Sequence, residues 1–118
     1  MTVDIERIYD HKQEQGVVRV LVDRVWPRGI SKEKAQLDHW LKDVGPTTEL
    51  RKWFNHDPQR FQAFKEKYEQ ELHQNDDQKA AFKELQDIVN NNEHVLLLYA
   101  AKDEQYNQAV VLQQLLTE

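Results

Sequence analysis

An almost unbroken apolar run that ends in charge sets the first limit on what this chain can fold into. Val17, Val18, Val20, Leu21 and Val22 are β-branched or apolar, with only Arg19 among them, the composition of a strand covered on both faces. Asp23, Arg24 and Arg28 follow within a few residues, with Pro27 and Gly29 shaping a turn and Ser31 placed to cap a following helix. In an open α/β sheet, ligands bind in the crevice beyond the carboxyl ends of the strands. Two arginines at that place suit planar, charge-assisted recognition of a phosphate or carboxylate. The alternative is a structural network, Asp23 with Arg24 or Arg28 with a carboxylate, that locks the loop.

A second apolar run, His94 to Ala100, also leads into charge, at Lys102 and Asp103. Val3 to Tyr9 forms a plausible short strand, and the strand around Val20 extends over 17–25. The polar stretch between them, Asp10 to Gly16, is shorter than the dozen or so residues of a helical crossover. A hairpin and an unusually compact connection therefore both stay open.

Helical spacing fills the rest. Leu37, Trp40, Leu41 and Val44 fall at i, i+3, i+4, i+7 and predict a helix ended by Gly45-Pro46. Thr47 is placed as an N-cap, with Glu49 in the first turn and a buried stripe of Leu50, Trp53 and Phe54. Asp57-Pro58 opens another helix, along which Phe61, Phe64, Tyr68 and Leu72 share a face. After the break at Asn75-Asp76-Asp77, a helix carries Ala81, Phe82, Leu85, Ile88 and Val89 and stops at Asn90-Asn91-Asn92. The last helix, about residues 104–116, carries Ala109, Leu112, Leu115 and Leu116. The expectation is a single α/β domain over 1–118, with a small parallel-containing sheet, a mixed one being the alternative, and helices on both faces.

If the two apolar strands are parallel neighbours, Asp23, Arg24 and Arg28 meet Tyr99, Lys102, Asp103 and Asn107 in one crevice. Free amides at the start of the last helix would add an anion cradle. Lys102 would act there as a point charge and Asn107 as an orienting amide. Trp26 would wall the pocket, and Tyr99 is either a ligand contact or a core residue with a satisfied hydroxyl.

Charge distribution sharpens the choice of place. The 118 residues carry a net charge of −5, which argues against nonspecific wrapping of nucleic acid. Residues 19–34 nevertheless hold a net +3, while residues 66–93 hold −5. The basic segment is where an anionic ligand belongs; the acidic one reads as solvated helix.

Other chemistries find little support. The chain has no cysteine, hence no disulfide, thiolate ligand or thiol nucleophile, in keeping with a reducing compartment. His11, His39, His56, His73 and His94 never pair at ligand spacing, so no metal site is expected. Ser31 has no nearby histidine in sequence, and capping accounts for it. With three glycines there is no nucleotide-binding glycine loop, and no cofactor is expected. No apolar segment approaches the roughly 18 residues of a membrane span, and the amino terminus lacks the apolar core of a signal peptide. A cytoplasmic protein is the expectation.

Arg7-Ile-Tyr-Asp10, Leu21-Val-Asp-Arg-Val-Trp-Pro-Arg-Gly-Ile30 and Leu37-Asp38-x-Trp40 resemble motifs of the YeaO-like branch of DUF 488, a bacterial and archaeal family of unknown function. Pro46-Thr-Thr-Glu-Leu-Arg51, Leu97-Leu-Tyr-Ala-Ala-Lys102 and Asn107-x-Ala109 before Leu112 are similar too, so the resemblance spans nearly the whole chain. It implies an α/β fold in a soluble cytoplasmic protein. The motif residues Asp23, Arg24, Trp26, Pro27, Arg28 and Gly29, with Tyr99, Lys102 and Asn107, carry over directly. Members of this branch often carry a histidine after the asparagine, where this chain has Gln108. Proton transfer at that place is thereby put in doubt, while amide hydrogen bonding is retained.

Three function classes follow. The first is a site, binding or enzymatic, for an anionic small molecule at Arg24, Trp26, Arg28, Tyr99, Lys102 and Asn107, with Asp23 in a structural network. The second is a nucleic-acid-binding module that uses the basic 19–34 segment. The third is a protein-interaction domain.

Overall fold

The computed structural model describes residues 2–10 and 16–117. The apolar runs form strands, shorter at their ends than expected: the first stops at Arg7, before a 3-10 turn, and the second at Leu21 rather than Val25. The strands are β1 (Thr2–Arg7), β2 (Val18–Leu21) and β4 (His94–Tyr99), joined by a two-residue strand β3 (His39–Trp40). The spatial order is β1-β4-β2-β3 and every pairing is parallel. β4 stands between β1 and β2 and pairs with both, which excludes a hairpin between the first two strands. Of the expected connection from Asp10 to Gly16, residues 11–15 lie outside the described residues.

Among the described residues, five α-helices complete the fold: α1 (Lys32–Ala35), α2 (Thr48–Phe54), α3 (Phe61–Gln74), α4 (Asp76–Asn90) and α5 (Gln108–Thr117). They cover the two faces of the sheet unequally. Val20, Val22, Val95, Leu97 and Tyr99 point into the larger core with apolar residues of α2, α3, α4 and α5. Leu21, Leu96 and Leu98 alternate to the opposite face, packing with Ile8, with Ala35 of α1 and with the loop residues Trp26, Ile30 and Leu37.

The helix expected across Leu37, Trp40, Leu41 and Val44 is not formed. α1 is a single turn capped by Ser31, whose side chain accepts from Lys34 N, and it ends at Gln36 in the left-handed conformation. Beyond it the backbone bonds to the open edge of β2. Asp38 N donates to Arg19 O at 2.9 Å, Leu41 N donates to Leu21 O at 3.0 Å, and the Asp38 carboxylate accepts from Arg19 N at 2.8 Å. Unpaired strand edges demand such partners, and four apolar residues fit strand-plus-turn as well as they fit a helix. Leu41 and Val44 are still buried, whereas Trp40 is exposed.

Two smaller corrections concern ends and faces. Trp53 is not part of the buried stripe of α2; it is exposed and stacked under the Arg60 and Lys67 cations. α5 starts four residues later than expected, at Gln108. Asp103 Oδ1 accepts from Gln105 N and Tyr106 N, forming a turn before it.

The turn after Val44 is held from three sides. The Tyr68 hydroxyl, on a fully buried ring, donates to Val44 O. Gln78, also buried, donates to Gly45 O at 3.1 Å. From the sheet side, Arg24 Nε donates to Gly45 O at 3.0 Å and Pro46 O at 2.8 Å. Gly45 suits this crowding, since a Cβ there would lie 3.0 Å from Arg24 Cγ and 3.3 Å from Val22 O, and both neighbours would have to give way. Tyr68→Phe leaves the buried Val44 carbonyl without its donor and is expected to cost about 1–3 kcal/mol, measured by urea unfolding; no loss would show the bond to be dispensable.

Candidate functional site

The parallel pairing of β2 with β4 aligns their carboxyl ends, and the chain leaves both in charged loops over a cavity of about 780 Å³. Arg24, Trp26, Arg28, Lys102 and Asn107, expected at one crevice, all line it, together with Asp23 and Asp103. More than seventy residues separate the two contributing segments. Tyr99 does not line the cavity: it points into the larger core and is buried, with its hydroxyl beside the Asn107 amide.

Asp23 is anchored, though not by Arg24. Its Oδ2 accepts from Ala100 N at 2.8 Å, and its Oδ1 accepts from the Gln108 amide. The expected Asp23–Arg24 pair is absent among the described residues. Arg24 instead turns its guanidinium to the Gly45 and Pro46 carbonyls, with Asp43 at 3.9 Å. Both residues lie past the end of β2, where the chain bends at Arg24, and each finds backbone groups that need a partner.

Trp26 Nε1 donates to Ile30 O at 2.6 Å, closing the 26–30 loop, and the ring meets Trp40 edge-on at 5.2 Å. Trp40 Nε1 in turn donates to Asp23 O at 2.7 Å. Gly29, at φ +77°, supplies the left-handed turn that follows Arg28. The Arg28 carbonyl accepts from the Tyr9 hydroxyl at 3.0 Å, so the backbone is fixed while the exposed guanidinium makes no hydrogen bond or ion pair among the described residues.

Asn107 departs from its expected role. It is buried, its Oδ1 accepts from Val110 N at 3.1 Å and its Nδ2 donates to Asp103 O at 2.8 Å. It caps α5 from within, and it occupies one of the amides expected to cradle an anion.

Sequence reasoning missed the wall that α2 contributes. Arg51, Phe54 and His56 line the cavity with Phe64, Tyr106 and Gln108. Arg51 stands in a motif quoted for the resemblance, but its spacing carried no sign that α2 would lie over the strand ends. His56 has φ +53°, sparsely populated for a residue with a side chain. The lining carries Arg24, Arg28, Arg51 and Lys102 against Asp23 and Asp103, a local excess of positive charge on a chain of net −5. Among the described residues no cluster of histidines and carboxylates could hold a metal ion; His11 lies outside them.

A family model described as the inactive DUF488-N3 subclade matches residues 2–118. This chain belongs to the DUF488 family. The uncharacterized protein YeaO of Escherichia coli K12 is 40% identical over 112 residues, covering 95% of this chain and 94% of its own. The uncharacterized protein Rv3073c of Mycobacterium tuberculosis H37Rv is 39% identical over 114 residues, covering 97% and 92%. No solved structure matches. The YeaO-like resemblance is thus borne out along the whole DUF488 chain.

Burial raises the Asp23 carboxyl of this DUF488 domain from 3.8 to about 6, against the opposing pull of Ala100 N–H, Arg51 and Gln108. The folded protein therefore holds this proton more tightly than the unfolded chain. The stability contributed by the neutral carboxyl is complete below about pH 4 and is lost as pH rises through about 6. At about 1.4 kcal/mol per pKa unit the loss saturates near 3 kcal/mol. Asp23→Asn has no carboxyl to ionise. Its unfolding free energy relative to the parent is expected to shift in its favour by up to about 3 kcal/mol between pH 4 and 7. A difference that is flat with pH would contradict the raised carboxyl.

Proposed function

We propose that this chain is a small-molecule-binding protein whose strand-end cavity takes up an anion, a phosphate or a carboxylate, on Arg28 with Arg51 and Lys102. The observation that carries this reading is the presence of three cations at one cavity whose side chains make no hydrogen bond or ion pair among the described residues. Arg24, which the fold uses, is bonded to it; Arg28 and Lys102 are left to solvent or ligand, and Arg51 acts on Asp23 through its charge alone. A site of this volume is of the size that encloses small molecules.

Binding is favoured over catalysis by two observations. The matching subclade is described as inactive. At the floor, Gln108 supplies an amide to Asp23, and an amide does not exchange protons as a histidine there would.

The nucleic-acid reading is the weaker one because three of the five cations in its basic segment are otherwise placed, leaving Lys32 and Lys34 exposed on α1. Arg19 is buried and donates to Ala35 O at 3.1 Å, Arg24 is engaged by the 45–46 turn, and Arg28 faces a cavity. A protein-interaction role has no specific observation in its favour.

Arg28→Ala separates ligand binding from folding. The backbone carbonyl bonded by Tyr9 is kept, so the ligand-free unfolding free energy is expected to change by less than about 1 kcal/mol. The stabilisation conferred by phosphate in a thermal melt is expected to disappear. If the variant unfolds, or melts with the same phosphate dependence as the parent, Arg28 is structural and the proposal fails.

A further inference from the structure

The size and walls of the cavity define its ligand beyond the charge. A bare phosphate or carboxylate would leave most of about 780 Å³ to water. Small-molecule sites of this kind are instead filled largely by apolar contact, with a few polar groups fixing orientation. Aromatic side chains supply the remainder here. Trp26 and Tyr9 line one stretch of the wall, Phe54, His56 and Tyr106 another.

The polar atoms of two of these rings are already used by the protein. The Tyr9 hydroxyl donates to Arg28 O at 3.0 Å and Trp26 Nε1 donates to Ile30 O at 2.6 Å. What they offer a ligand is the ring surface not covered by Arg7, which stacks on Tyr9 at 5.2 Å, or by Trp40, which meets Trp26 edge-on. On the other stretch, Tyr106 is held edge-on against Phe61 at 5.2 Å and stays partly exposed, while His56 sits 6.4 Å from Phe54. Rings fixed in this way provide apolar area at little entropic cost to binding.

We infer that the cavity is built for a ring-bearing anion, an aryl phosphate or aryl carboxylate, with the ring against Tyr106, His56 and Trp26 and the anionic group on Arg28 and Lys102. This rests on the anion reading above and adds the body of the ligand to it. Cations and rings at one cavity satisfy both ends of such a molecule at once, which neither a free inorganic anion nor an uncharged ring does.

Isothermal titration of the full chain with phenyl phosphate, inorganic phosphate, benzoate, acetate and benzamide tests both parts separately. Phenyl phosphate is expected to bind at least about tenfold more tightly than phosphate, and benzoate than acetate, while benzamide binds at least about tenfold more weakly than benzoate. Tyr106→Leu is expected to reduce the phenyl phosphate to phosphate ratio at least about threefold. Equal affinities for phenyl phosphate and phosphate would overturn the ring inference and leave the anion reading standing. Benzamide binding as well as benzoate would overturn the anion reading. Absence of binding by all five probes would overturn both.

Discussion

The Asp23 carboxylate ties the end of β2 to the segment that follows β4. One oxygen accepts from Ala100 N, 77 residues away, and the other from the Gln108 amide, 85 residues away. Through the first bond the loop after β4 is held beside the loop after β2; through the second, α5 is fixed where it begins. Its backbone carbonyl accepts from Trp40, which adds the edge strand β3. A carboxylate that accepts such bonds in a half-buried place compensates the groups around it and bears the desolvation itself, and its raised carboxyl records the imbalance.

With that tie in place, charges at the strand ends divide into two sets. Asp23 and Arg24 serve the fold, one through Ala100 and Gln108 and the other through the carbonyls of Gly45 and Pro46. Arg28 and Lys102 face the cavity without such duties, and Arg51, also in the wall, acts on Asp23 through its charge alone. The division follows position along the chain. Residues 23 and 24 still lie next to the sheet, where unpaired backbone groups compete for them. Arg28 lies past Pro27, on a turn that Gly29 and the Tyr9 hydroxyl fix from the main-chain side.

Runs of apolar residues made the α/β class, the two central strands and the helices α3 and α4 legible from residue order alone, because burial on both faces or along one stripe leaves a direct periodic signature. The convergence of Arg28 and Lys102 followed from the strand-end rule. β3 was illegible: two residues paired to an edge are decided by the open hydrogen-bonding groups of β2. The spacing of Leu37, Trp40, Leu41 and Val44 carries no record of them. Arg51 and His56 were missed for a related reason, since their place in the wall depends on how α2 lies over the sheet. The expectation that Asp23 and Arg24 hold each other failed because backbone and amide groups distant in sequence, at Ala100 and Gln108 for one and at Gly45 and Pro46 for the other, take both side chains.

Carbon-13 NMR of the Asp23 carboxyl as a function of pH, with and without phosphate, tests the account most directly. The anchored, half-buried carboxyl is expected to titrate near 6. An anion bound in the same cavity is a like charge and must raise that value further, by the same coupling with which ionised Asp23 weakens the anion. Titration near 3.8, or a curve that phosphate does not move, would contradict the account.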